Sequence, residues 1–266
     1  MKKLLAYFRV HLGEALVYRA TGFIWMLNDI GPALVALLFW LAAFQDQVSI
    51  AGYTVATMSI YYFGVMAINA LIVPYPEYTL VEEIRSGSFS NYLVKPINLV
   101  LFKMCNMLAW RVPKAFYLVP LIFILNYFSS GKPDQVSLSL ITLGSFIVSL
   151  GLSFLLMFFI KMILALTAIW LTESGWLFFS FEIFSSLFSG ELVPLSFLPV
   201  SVQMVNNWLP FKYFLSFPLL IVLQKINSSY EIVLGLLTQL FWVISFYLVY
   251  RLILNCGIKN YCAYGG

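Results

Sequence analysis

Lys161 and Glu182 are the ionisable side chains set deepest in apolar sequence, and Asp29 is a third. Charge inside a bilayer is expensive, so such residues face a partner, a cavity or a pathway. Lys161 precedes the turn near Thr172-Glu173 by about 11 residues and Glu182 follows it by about 9; at about 1.5 Å of rise per residue both reach a similar depth on antiparallel neighbours. They are expected to pair or to line a shared polar cavity. Functionally this reads as a substrate-path or gating charge; structurally it reads as an ion pair holding a hairpin. Asp29 either lines a pathway or lies near the outer interface, merely solvated.

Covalent chemistry finds little support. There is no GxxxxGK[ST] loop: Gly131-Lys132 runs into Pro133 and lacks the glycine cradle for phosphates. The sole histidine, His11, has no acidic cluster around it and builds no metal site. No GxSxG or comparable nucleophile pattern occurs. Cys105, Cys256 and Cys262 have neither metal-ligand nor redox spacing and read as reduced thiols. No catalytic, cofactor-binding or metal residues are therefore expected.

The elements that carry these residues must be membrane spans. The chain is 62% hydrophobic and 10% charged, against about 25% charged in a soluble domain. It reads as one all-α, polytopic membrane domain over residues 1–266. Residues 1–20 mix Lys2, Lys3, Arg9 and Arg19 with leucines and Phe8, the pattern of a helix lying in the interface plane. Spans are expected at 21–44, 53–74, 108–128, 136–171, 176–188 and 232–250. In the third, Arg111 and Lys114 are expected to snorkel to one interface on their alkyl stems. The fourth is long enough to tilt or kink. The segment 189–224 is broken by Gly190, Pro194, Pro199 and Pro210, with Phe211 following. Such backbone cannot face lipid, and its part 201–224, where apolar and polar residues alternate around Trp208, Phe211, Lys212 and Pro218, reads as two short helices that dip into the membrane from outside and return. Six spans put both termini on one side with residues 81–98. That side collects most of the lysines and arginines, which places it in the cytoplasm. The modest net positive charge needs no nucleic-acid partner.

Residues 81–98, VEEIRSGSFSNYLVKPIN, form the one long polar interruption that also carries helix signals. Glu82, Glu83 and Arg85 lead into Ser86-Gly87-Ser88, and Phe89, Tyr92 and Leu93 fall at helical spacing before Pro96. Serine opens a helix and the residue before proline leaves helical geometry, so a short amphipathic helix is expected near Ser88–Val94. It reads either as a contact point for a soluble partner or as an interfacial loop with its aromatic residues on lipid.

In order and spacing these features resemble permease subunits of ATP-binding-cassette exporters of the type-2 class, small stand-alone permeases in particular. The resemblance rests on Glu82-Glu83-Ile84-Arg85-Ser86-Gly87 with Leu93 and Pro96. It rests equally on Ser189-Gly190, Pro194, Leu198-Pro199 and Trp208-Leu209-Pro210-Phe211, and on the tail Gly257-Ile258-Lys259-Asn260-Tyr261. It implies that 81–96 carries a coupling helix docking on a separate cytoplasmic ATPase, which would hold the ATP and Mg²⁺. It also implies pairing with a second permease, identical or related, in a bacterial-type inner membrane. Two other functions compete. A lipid-modifying enzyme would need more polar groups converging at one depth than Lys161, Glu182 and Asp29 supply. A passive channel or scaffold is compatible with six spans but does not call for the amphipathic segment. The aromatic outer segment suits an amphipathic cargo such as a drug, peptide or glycolipid, although aromatic residues also anchor interfaces.

Overall fold

The computed structural model describes residues 2–44, 47–50, 52–129, 139–171, 173–226 and 228–261. Among them the regular structure is helical, and the one bridge between extended residues joins Ile50 to Tyr53. Helix α1 (Lys2–Val17) runs into α2 (Arg19–Phe44) with a break at Tyr18. Helix α3 (Val55–Ile72) opens on a capping box between Thr54 and Thr57. Next come α4 (Pro76–Arg85), α5 (Ser90–Val94), α6 (Leu99–Ser129) and α7 (Leu140–Leu166), the last followed by a 3-10 turn at Thr167–Ile169. Ser139 caps α7 by accepting from the Thr142 amide at 3.1 Å. Then follow α8 (Gly175–Phe188), α9 (Val200–Asn207), α10 (Ser216–Val222) and α11 (Ser229–Asn260).

Four stretches among the described residues are long and apolar enough to cross a membrane: Arg19–Phe44, Val55–Arg85, Leu140–Ile169 and Ser229–Asn260. Helix α6 has 31 residues, and the expected third span lies inside it. Helix α8 has 14 residues, only about 21 Å of rise against a core of about 30 Å. The expected start of the fourth span, 136–138, lies outside the described residues; its helix is described from Leu140. The segment 189–224 holds two short helices, α9 and α10, close to the two expected in 201–224.

Helix α7 is the hub. It packs on α11, α4, α10 and α3, and its Leu156, Phe158, Met162, Ala165 and Leu166 are almost fully buried. Helix α1 lies along α6 and α2 along α3. Gln239 of α11 ties the hub together: its amide donates to the Ser149 carbonyl at 3.0 Å, Ser153 Oγ at 2.9 Å and the Tyr213 carbonyl at 3.0 Å. Outward, α2 and α11 present Phe23, Ile24, Leu38, Phe39, Leu237 and Phe241. An apolar exterior is what lipid as solvent allows, because helices satisfy their own backbone.

One helix was not expected. Pro74 and Pro76 look like breakers, yet Pro76 sits in the first turn of α4, where its missing amide is no loss. The chain therefore turns at Tyr75 and resumes as helix, placing Glu77 and Glu83 on one short rod.

Candidate functional site

The first site is the elbow formed by α4, α5 and the start of α6. Gly87 allows the turn between α4 and α5: its φ is +79°, a region open to glycine at little cost. Glu83 is the brace. It accepts from Lys103 Nζ at 2.8 Å and from the Tyr92 hydroxyl at 3.0 Å, and its carbonyl accepts from the Phe89 amide at 2.8 Å. Lys103 also donates to Thr79 Oγ1 at 3.0 Å. Burial, and secondarily the Glu83 charge, holds the Tyr92 phenol well above its ordinary range, so it stays a neutral donor.

Phe89, Tyr92 and Leu93 do not share a face. Phe89 is fully buried, its ring 5.1 Å from that of Tyr261 at the end of α11, and Tyr92 turns inward to Glu83. Leu93 and Val94 are exposed, the latter 84%, and so are Glu82, Arg85, Lys95 and Pro96 close by in the chain. Helical spacing brought out the apolar residues of α5; the direction each faces was hidden, because it depends on Glu83 and Tyr261 reaching the segment from either side.

The second site is a buried network of charge. Lys161 and Glu182 meet, with Nζ and Oε1 2.6 Å apart. Lys161 also lies 3.2 Å from Glu77 on α4, so one ammonium faces two carboxylates. Glu77 is buried whereas the Glu182 side chain is 45% exposed. Asp29 is buried and pairs with Lys114, and it accepts from the Tyr75 hydroxyl at 2.7 Å. Both lysines sit over the Tyr75 ring, Lys161 at 4.3 Å and Lys114 at 5.7 Å from its centroid.

The expectation that Arg111 and Lys114 reach an interface is overturned. Lys114 turns in to Asp29, and Arg111 caps the end of α3. Arg111 donates to the carbonyls of Leu71 and of Ile72, the latter at 2.9 Å, and lies 4.4 Å from the centre of the Phe154 ring. The reason lies in the chain: four residues beyond Ile72 stands Pro76, which has no amide to offer that carbonyl. Asp29 is likewise no solvated surface group.

The loop after α8 closes this region. Gly190 has φ +89°, and a Cβ there would lie 2.3 Å from Ser216 Oγ and 2.8 Å from the Tyr61 hydroxyl. Tyr61 donates to the Gly190 carbonyl and Tyr62 to that of Leu192, each at 2.6 Å. Asn69 donates to Glu191 at 2.8 Å. Pro194 is buried, Pro199 directly precedes α9, and Pro210 leads a 3-10 turn whose Phe211 ring packs on Phe181, Phe188 and Phe214. Between this loop, α2, α4 and α8 lies a cavity of about 400 Å³, whose walls include Asp29, Asn69, Tyr75, Tyr78, Glu182 and Glu191.

Sequence reasoning missed Tyr75, Glu77 and Glu191. Glu77 carried a usable signal, an acid just inside a proline-led helix start, but the two prolines hid that helix. Among the described residues no group of histidine, cysteine, aspartate and glutamate could hold a metal ion. A family model described as ABC-2 family transporter protein matches residues 30–265. No curated protein and no solved structure matches the chain.

Proposed function

The chain belongs to the ABC-2 family of transporter proteins, and from that membership we propose that it is the membrane-spanning permease subunit of an ATP-driven exporter. The observation that carries this reading is the elbow. It exposes two apolar side chains, Leu93 and Val94, and Glu83 ties α4 to α5 and α6 through Tyr92 and Lys103. A short helix of this kind suits a groove on a soluble partner. In this reading the partner is a separate cytoplasmic ATPase that carries ATP and Mg²⁺, and this chain performs no catalysis.

Six crossings, by α2, α3 with α4, α6, α7, α8 with the loop after it, and α11, place both termini and the elbow in the cytoplasm of a bacterial-type inner membrane. Helix α1 lies at the interface, and 189–224 dips in from outside. A second permease, identical or related, completes the path, and the cargo is hydrophobic or amphipathic.

Co-purification tests the reading. The chain should bring down an ATPase subunit and hydrolyse no ATP without it. Deleting Ser88–Val94, or changing Leu93 and Val94 both to Asp, should abolish the association while the permease still inserts. A complex that survives both changes defeats the proposal. Cysteine labelling at Ser88 in intact cells should fail until the membrane is made permeable.

A further inference from the structure

The cavity beside the loop at Gly190 has a bias of charge. Asp29, Glu182 and Glu191 line it, and among the described residues no lysine or arginine does. The cations that balance two of these acids, Lys114 and Lys161, stand outside the lining, and among the described residues Glu191 forms no ion pair, only the hydrogen bond from Asn69. Four aromatic rings, of Tyr75, Tyr78, Phe179 and Phe214, share the walls. The Tyr75 ring already takes ammonium groups over it, that of Lys161 at 4.3 Å. A volume of about 400 Å³ falls within the usual range of small-molecule sites.

We propose that this cavity recognises the cargo, and that the cargo is an organic cation: a compact apolar body bearing a positively charged centre. The inference rests on the permease reading and names the substrate class within it. The charged centre sits between Glu191 and Glu182, and the apolar body lies on the aromatic walls. Glu191 is suited to the contact because, among the described residues, no salt bridge to it has to be broken. The acidic lining favours a cation over an anion of the same shape. The rings add attraction for a cation and none for an anion.

Tetraphenylphosphonium and tetraphenylborate have nearly the same shape and opposite charge, so they isolate the sign. Each is titrated by equilibrium dialysis against the full chain in nanodiscs of zwitterionic lipid, with empty nanodiscs as the blank. Tetraphenylphosphonium should bind saturably and tetraphenylborate should not. Glu191→Gln should weaken the cation about tenfold, and Glu191→Asp should retain most of the affinity. Glu182→Gln, on a half-exposed side chain, supplies a second weakened variant if the first does not fold. Equal or tighter binding of tetraphenylborate overturns the proposal, as does no binding of the cation, or binding that neither Gln substitution changes. Co-purification of an ATPase from the same cells separates the two readings. An ATPase without cation binding defeats the cation inference alone; cation binding without an ATPase defeats the permease reading alone.

Discussion

Asp29 shows what a single buried acid does in this protein. It pairs with Lys114 and holds the Tyr75 hydroxyl, and its side chain is buried at the edge of the cavity. Removing one partner of such a pair leaves the other as an uncompensated buried charge, at about 3–5 kcal/mol. Asp29→Asn should therefore lower the melting temperature in detergent sharply. Asp29→Leu with Lys114→Met should restore most of the loss, since a buried pair exchanged for apolar groups is often neutral. Fluorescence-detected melting of the three proteins decides it; a double variant as unstable as the single one would show that the charges themselves are required. The same logic grades the acids around Lys161. The Glu182 side chain is half-exposed and that of Glu77 is buried, so Glu77→Gln should destabilise more than Glu182→Gln in the same assay.

At the scale of elements, the turn between α3 and α4 depends on a residue from a third helix. Arg111 satisfies the carbonyls that the Pro76 break leaves open. Arg111→Met should cost about 1–3 kcal/mol for each carbonyl left unpaired, and hydrogen exchange should rise at the end of α3 before it rises in α7. Uniform loosening of both helices would argue against a local cap. The loop after α8 makes a second test. Gly190→Ala meets both a positive φ and two side-chain oxygens within 3 Å, and should destabilise by about 1–3 kcal/mol. Gly144→Ala, in α7 with nothing within 4 Å, should stabilise by about 1 kcal/mol through helix propensity. These contrasts also mark what the sequence could and could not disclose. Apolar length disclosed α2, α3, α7 and α11, because a lipid-facing helix needs only a run of apolar residues. Helix α4 and the inward turn of Arg111 stayed hidden, since each is decided by a partner far along the chain.

The whole molecule is organised around α7, with the charged sites on either flank of α4. Depth along the helices was legible, so Lys161 and Glu182 could be matched from the residues between them. Azimuth was not, so the two further acids, Glu77 beside Lys161 and Glu191 across the cavity, escaped notice. Helix α4 is a ten-residue bar with a carboxylate near each end. Glu77 is pinned to Lys161 in the core, and Glu83 is pinned to Lys103 at the elbow. Six residues of helix separate the pins by about 9 Å. In the permease reading, a bar held at both ends would carry a thrust along its length, from the outer tip toward the inner ammonium. Its timing is then a matter of pitch. One alanine inserted between Leu80 and Val81 would swing the outer pin by about 100° and leave only one of the two seated. Four would nearly restore the angle while pushing the tip outward by about 6 Å.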